Sequence, residues 1–282
     1  MRIVTFISLI ILLSMVNILA DSVDVNIINP GYLPVSRSEF ISIANEIYQY
    51  ECSRLNYRES FQLTVEINSL ENDIRGMVIP IMVRSIIYLE KDSIKTIPKL
   101  KGIFAHELGH ILYYKWLKPN FGTGNLYWDE GFASWIAGKY YLEWQGYNDY
   151  KSALKNIDFY EPTTQLINMR NDSNQPAKIR DIVYMKWSSF IDYLITKFGF
   201  TIVKNLCNVF ISDLDKNDHK YEIKSYKKMT REESFERLKE VLKLKEMNEP
   251  KETIEILKNA YYKLLNISFE DLVDQWELAN SI

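Results

Sequence analysis

The chain has 282 residues, 47% of them hydrophobic and 25% charged, with a formal net charge of −3. This length supports one or two domains with a sizeable core, and the composition is that of an ordinary globular protein. Nucleic acid is excluded as an expected partner, because proteins that bind it carry a strong basic excess. The basic stretch 216–228 is interrupted by acids, which is typical of a solvated loop.

The N-terminus has the pattern of a secretory signal. Arg2 gives a positive start, and residues 3–20 form an almost uninterrupted apolar run without charge. Segment 1–20 is predicted to be a signal peptide ending at Ala20, or an uncleaved membrane tether, since about eighteen apolar residues can span a bilayer. A buried N-terminal helix is the structural alternative. The first two interpretations place residues 21–282 outside the cytoplasm, in a secreted, periplasmic or membrane-anchored protein.

Only two cysteines occur, Cys52 and Cys207. In an oxidising compartment they could pair, and closing so long a loop would contribute about 4–5 kcal/mol in the chain-entropy model. Each also lies in an apolar helical context, where a buried free thiol is common. Both interpretations stay open at the level of sequence.

The first part of the chain mixes strand and helix signals. Residues 21–36 contain two prolines and a glycine and predict an extended linker or entry strand. Ser38 is predicted to cap a helix that ends near Leu55. Strands are then predicted at Phe61–Ile67 and within the apolar run Met77–Leu89.

From about Pro98 the hydrophobic period becomes helical. One helix is expected to stop near Pro119, and a second is expected from about Asp129 to Trp144. Further helices are predicted at about 177–198, 201–213, 229–246, 250–264 and 268–280. The predicted class is α+β, with a β-containing lobe at 21–97 and a helical lobe at 98–282.

The segment His106-Glu107-Leu108-Gly109-His110 is an H-E-x-x-H motif on a predicted helix. Residues four apart lie one above the other on a helix, so both imidazoles can reach one metal ion. Zn²⁺ suits such ligands and leaves a position open for water, from which Glu107 is placed to take a proton. The competing interpretation is a helix that contains these residues by chance.

A third ligand is required, and the positions of a metzincin pattern are occupied by Tyr113 and Trp116 instead of Gly and His. His219 lies in a polar segment. Residues 126–133, LYWDEGFA, offer Asp129 and Glu130 at a predicted helix start, far enough along the chain for a second helix to return across the first.

In these motifs the sequence resembles the gluzincins, which include thermolysin and the zinc aminopeptidases. The segment 128–135, WDEGFASW, is similar to the aminopeptidase signature W-x-x-E-G-F-A with one spacer residue missing. The resemblance implies a zincin-like fold, with a small, mostly antiparallel sheet, an active-site helix and a helical C-terminal lobe. It implies Glu130 as the third ligand. Asp129 is kept as the alternative ligand, and otherwise as a helix N-cap or an acceptor that orients a ligand histidine.

The resemblance extends to Tyr184, which begins a Y-x-K segment followed by an apolar helix and Gly199. In the family, the hydroxyl of this tyrosine stabilises the oxyanion of the tetrahedral intermediate. An aromatic core residue is the structural alternative. The match of residues 269–276 to the family's closing helix is weak, because any amphipathic helix would read in the same way.

One feature departs from the aminopeptidases: Gly76-Met77-Val78-Ile79-Pro80 lacks the acid that binds a substrate's free amine in that group. The resemblance therefore predicts zinc-dependent hydrolysis of a peptide or protein substrate, without an aminopeptidase specificity. The alternatives are a non-catalytic, zinc-stabilised extracytoplasmic binding protein, and hydrolysis of a non-peptide amide or ester.

Overall fold

The structure, a computed structural model, describes residues 22–70, 74–79, 85–117, 126–157, 161–167, 177–216 and 251–281. The predicted signal or tether 1–20, His219 and the predicted helix 229–246 lie outside the described residues. Within the ranges described, no helix is both long and apolar enough to cross a membrane.

Four strands form one mixed sheet: β1 (Val23–Ile28), β2 (Phe61–Asn68), β3 (Gly76–Ile79) and β4 (Ser85–Glu90), in the order β1-β2-β4-β3. β1 pairs with β2 in parallel, β2 pairs with β4 in parallel, and β3 pairs with β4 antiparallel. The prediction of a mostly antiparallel sheet is therefore wrong. The first helix, α1 (Arg37–Leu55), crosses over between β1 and β2, and such a connection makes strands parallel.

The apolar run predicted at Met77–Leu89 contains two strands instead of one. β3 and β4 form an antiparallel pair in which Met77 lies opposite Tyr88. β4 also pairs with β2, so β3 is left at the edge of the sheet. The predicted entry strand at 21–36 is confirmed over β1.

The helices after β4 are α2 (Ile97–Leu117), α3 (Leu126–Ala137), α4 (Lys139–Gln145), α5 (Tyr150–Lys155), α6 (Thr163–Leu166), α7 (Ala177–Phe198), α8 (Phe200–Lys216), α9 (Lys251–Leu265) and α10 (Phe269–Asn280). The α+β class is confirmed. Two details were wrong in the prediction. Ser36 caps α1 in place of Ser38, since its side chain accepts from the backbone N–H of Glu39. Gly138, at φ 49°, divides the single helix expected at 129–144.

The main core joins the sheet to the helices. One face of the sheet contributes Val25, Leu63, Val65 and Leu89 to the same buried cluster as α1 and α2. α2 contacts β3 and β4, so it lies against the edge of the sheet. Burial of this apolar area, at about 25 cal/mol per Å², holds α2 in place. A largely aromatic group packs the helical side, including Trp128, Trp187, Phe190 and Tyr261.

Candidate metal centre

The two histidines of the H-E-x-x-H motif lie on one face of α2. His106 and His110 are 7% and 6% exposed, and their ring centroids are 4.9 Å apart. One helical turn separates them, as the spacing predicts. Both Nε2 atoms therefore point to the same small volume.

α3 brings the third group of this cluster. A Cβ on Gly109 would stand 2.8 Å from the carbonyl oxygen of Ala133, so only glycine lets α3 approach α2 this closely. The approach places Glu130 Oε2 at 2.9 Å from His106 Nε2 and at 3.3 Å from His110 Nε2. Glu130, and not Asp129, joins the two histidines.

These three side chains could hold a metal ion. One ligand atom from each lies within 4.8 Å of the other two. Zinc ligands at about 2.1 Å in a tetrahedral arrangement are about 3.4 Å apart, close to the two measured separations. The same distances also suit hydrogen bonds from imidazole N–H groups to a carboxylate. The positions of the three side chains therefore fit a metal ion, but hydrogen bonds alone also account for them.

The charge state of Glu130 follows from its neighbours. Burial raises the pKa of its carboxyl, but the charge of His110 and hydrogen bonds from both imidazoles outweigh burial and hold the pKa well below its usual range. Glu130 is therefore an ionised carboxylate, which is the form that binds a cation.

Ser134 fixes the orientation of His106 and was not predicted. Its Oγ lies 3.1 Å from His106 Nδ1, which leaves Nε2 facing Glu130. Ser134 follows Glu130 by four residues on α3, so helical spacing from the proposed ligand could have identified it. His110 Nδ1 is buried and has no partner among the residues described.

Glu107 lies between α2 and the edge of the sheet. It is buried, and a Cβ on Gly76 of β3 would stand only 2.6 Å from its Oε1. Burial raises the pKa of this carboxyl to about 8, and the charge of His106 offsets part of the effect. A carboxyl group whose pKa is shifted toward neutrality, next to the two imidazoles, can act as a general base or acid.

Tyr184 of α7 is half-buried and stacks on His106, with ring centroids 5.9 Å apart and an angle of 6° between the rings. Gly131 permits this arrangement, since a Cβ there would be 2.4 Å from Trp187 Cβ. Burial, followed by the charge of Glu130, raises the pKa of the Tyr184 phenol well above its usual value, so the hydroxyl remains a donor. Tyr141 and Tyr114 also flank His106 and His110, and neither was predicted.

Asp129 is neither a member of the three-residue cluster nor a helix N-cap, which are two of the three roles predicted for it. α3 begins at Leu126, so Asp129 lies inside the first turn and is not an N-cap. Its Oδ1 accepts a hydrogen bond from the Tyr113 hydroxyl at 3.0 Å, while Nδ1 of His106 faces Ser134. Asp129 therefore joins α3 to α2 next to the cluster.

The two cysteines do not pair. Cys52 and Cys207 are both buried as free thiols.

Comparison with known proteins adds no family to these observations. No protein-family model matches the sequence, and no curated protein matches it.

Proposed function

We propose that this chain is an extracytoplasmic zinc peptidase with a zincin-like fold and a gluzincin ligand set. The observation that carries the proposal is the convergence of His106, His110 and Glu130, with Glu107 beside them. Two imidazoles and one carboxylate are the ligand types of catalytic zinc sites, which keep a position open. A peptide or protein is the proposed substrate.

Bound zinc would supply Lewis-acid chemistry, polarising the scissile carbonyl and making a water more acidic. Glu107, which directly follows the first ligand histidine on α2, takes a proton from the attacking water and delivers it to the leaving amine. Its carboxyl must be ionised for this step, and the positive charge of a bound zinc ion would favour that form. Tyr184 donates a hydrogen bond from its hydroxyl to the oxyanion. Its stacking on His106 supports a position beside the proposed zinc site. Ser134 Oγ can accept from His106 Nδ1–H, which would favour the tautomer whose Nε2 is free to bind a metal in place of donating to Glu130.

Metal content tests the ligand set. The purified protein should hold about one zinc ion per chain by elemental analysis. His106→Ala and Glu130→Gln should lose it, because each removes one of only three protein donors. Asp129→Asn is the matched control, since it changes the neighbouring carboxylate and should retain the metal. Loss of zinc in Asp129→Asn but not in Glu130→Gln would contradict the assignment.

Glu107→Gln tests the reaction separately from the metal. The variant should keep zinc and lose nearly all cleavage of a mixed peptide library, because no base remains for the water. Full activity in this variant would contradict the mechanism. Zinc-loaded wild type that cleaves no peptide would favour the binding-protein alternative, and cleavage of esters alone would favour the non-peptide one.

A further inference from the structure

A cleft of about 740 Å³ lies where the C-terminal half of α1 meets α5, α7 and the end of α10. Its lining includes Arg54, Lys139, Tyr150 and Asp192, and it shares no residue with the metal centre. The volume is in the range of small-molecule sites.

Arg54 is held rigidly on one wall of this cleft. Its guanidinium lies over the Trp135 ring at 4.3 Å from the centroid. Gly138 makes room for it, since a Cβ there would be 3.2 Å from Arg54 Cζ and 2.3 Å from the Tyr50 hydroxyl. A guanidinium fixed by stacking loses little freedom when it binds an anion.

Most hydrogen-bonding capacity of Arg54 is unused. A guanidinium has five N–H donors. Nη1 reaches the Tyr50 hydroxyl at 3.4 Å, and Nη2 forms a long ion pair with Asp192 Oδ1 at 4.0 Å. Nε has no partner in the described part of the chain but is itself buried, so any donor offered to the cleft belongs to Nη1 or Nη2. Asp192 Oδ1 also accepts from Trp135 Nε1 at 2.9 Å. About a quarter of the Arg54 side chain, 24%, remains exposed.

The remaining charges of the cleft favour an anion. Three exposed lysines accompany Arg54 in the lining: Lys139, Lys151 and Lys155. The lining also holds two carboxylates, Asp149 and Asp192, so its four cations outnumber its anions by two. In a chain with a net charge of −3, this is a local positive excess.

We propose that this cleft binds the anionic group, a phosphate or a carboxylate, of a small-molecule ligand. Arg54 donates to the anion in a directed, charge-assisted contact, and the lysines at the rim add attraction that salt screens. The site is independent of the proposed peptidase activity.

Equilibrium dialysis of full-length protein with labelled inorganic phosphate and with labelled citrate tests the proposal and separates the two chemistries. The protein is in the His106→Ala background, at low ionic strength, so that the proposed zinc site takes up neither probe. At least one probe should bind saturably at one site per chain and weaken as salt is added. Binding of phosphate alone indicates a phosphate ligand, and binding of citrate alone a carboxylate.

Arg54→Gln should weaken that binding by about ten-fold or more, because a charge-assisted hydrogen bond is lost. Arg37→Gln, at the start of the same helix, is the matched control and should leave it unchanged. Arg54→Lys keeps the charge and most of the stem but loses the planar fork, and should fall between the two. Absence of saturable binding of both probes, or equal binding by folded Arg54→Lys and Arg37→Gln proteins, would overturn the proposal.

Discussion

Two buried regions of this protein shift the pKa of a glutamate in opposite directions. At the candidate metal centre, Glu130 lies within hydrogen-bonding distance of both histidines, and His106 also faces Ser134. In the C-terminal half of α1, Glu51 is fully buried and neither of its carboxyl oxygens has a hydrogen-bond partner among the residues described.

The two glutamates show that burial alone does not set a charge state. Burial raises the pKa of both carboxyls. At Glu130 the imidazoles reverse the effect, and at Glu51 the charge of Arg54 does not, so the pKa stays well above its usual range. The imidazoles therefore favour the ionised form of Glu130, which is the form that binds a cation, whereas burial favours the protonated form of Glu51.

Among the three variants that follow, the largest effect is expected from Tyr184→Phe, beside the candidate metal centre. If the hydroxyl meets the oxyanion, kcat and kcat/KM should fall together by about 100- to 1000-fold, because the donor acts mainly in the transition state. Zinc content and melting temperature should hardly change, since no ligand and no buried ring is lost. Steady-state kinetics and thermal melts of one preparation measure both. Unchanged kinetics would remove Tyr184 from the site.

A smaller effect is expected from Ser134→Ala, which removes the partner of His106 Nδ1. Groups that orient a ligand histidine typically contribute 10- to 100-fold to metal affinity, so competition with a zinc chelator should show a loss of about that size. Ser188→Ala is the matched control, because Ser188 is also buried but donates to the carbonyl of Met185 within α7. Equal affinity in the two variants would show that Ser134 does not support the ligand.

The smallest effect is expected from Glu51→Gln, and it depends on pH. A carboxyl whose pKa is raised in the folded state binds more protons there, so stability is lost as the pH rises above the unfolded value of about 4.5. The loss is at most about 1.4 kcal/mol per pH unit until the folded pKa is reached. Glutamine cannot ionise, so the variant should match wild type at pH 4 and exceed it in free energy of unfolding at pH 8.

Urea denaturation at both pH values measures this difference. Glu39→Gln is the control, since Glu39 is an exposed glutamate near the start of the same helix. A variant that gains no stability relative to wild type between pH 4 and pH 8 would show that Glu51 ionises in place, and the contrast with Glu130 would then fail.

What the sequence determined by itself is local. The H-E-x-x-H spacing places His106 and His110 on one helical face, because the helix repeats every 3.6 residues. Alternation and helical periodicity predicted the α+β class and the extents of α1 and α7. Glu130 was proposed by resemblance to the gluzincins, and the structure brings it to the histidines.

Tertiary structure decided how those segments meet. β1 pairs with β2 in parallel because α1 crosses over between them. β4 lies between β2 and β3, and this position depends on which strand edges remain available for pairing. Nothing local in the sequence encodes that choice. The same holds for Glu107, whose place against Gly76 requires α2 to pack on an edge strand about thirty residues away in sequence.

Contacts between distant side chains also decided the roles of Asp129, Ser134 and Arg54. Asp129 was kept as an alternative ligand, and otherwise as a helix N-cap or an acceptor for a ligand histidine. α3 begins earlier than predicted, and the Asp129 carboxylate accepts from the Tyr113 hydroxyl. Helical spacing from Glu130 could have pointed to Ser134, whereas nothing in the sequence around Arg54 indicates its contact. Their partners, His106 and Trp135, lie 28 and 81 residues away, and a hydrogen bond or a cation–π contact over such a separation exists only after the helices have packed.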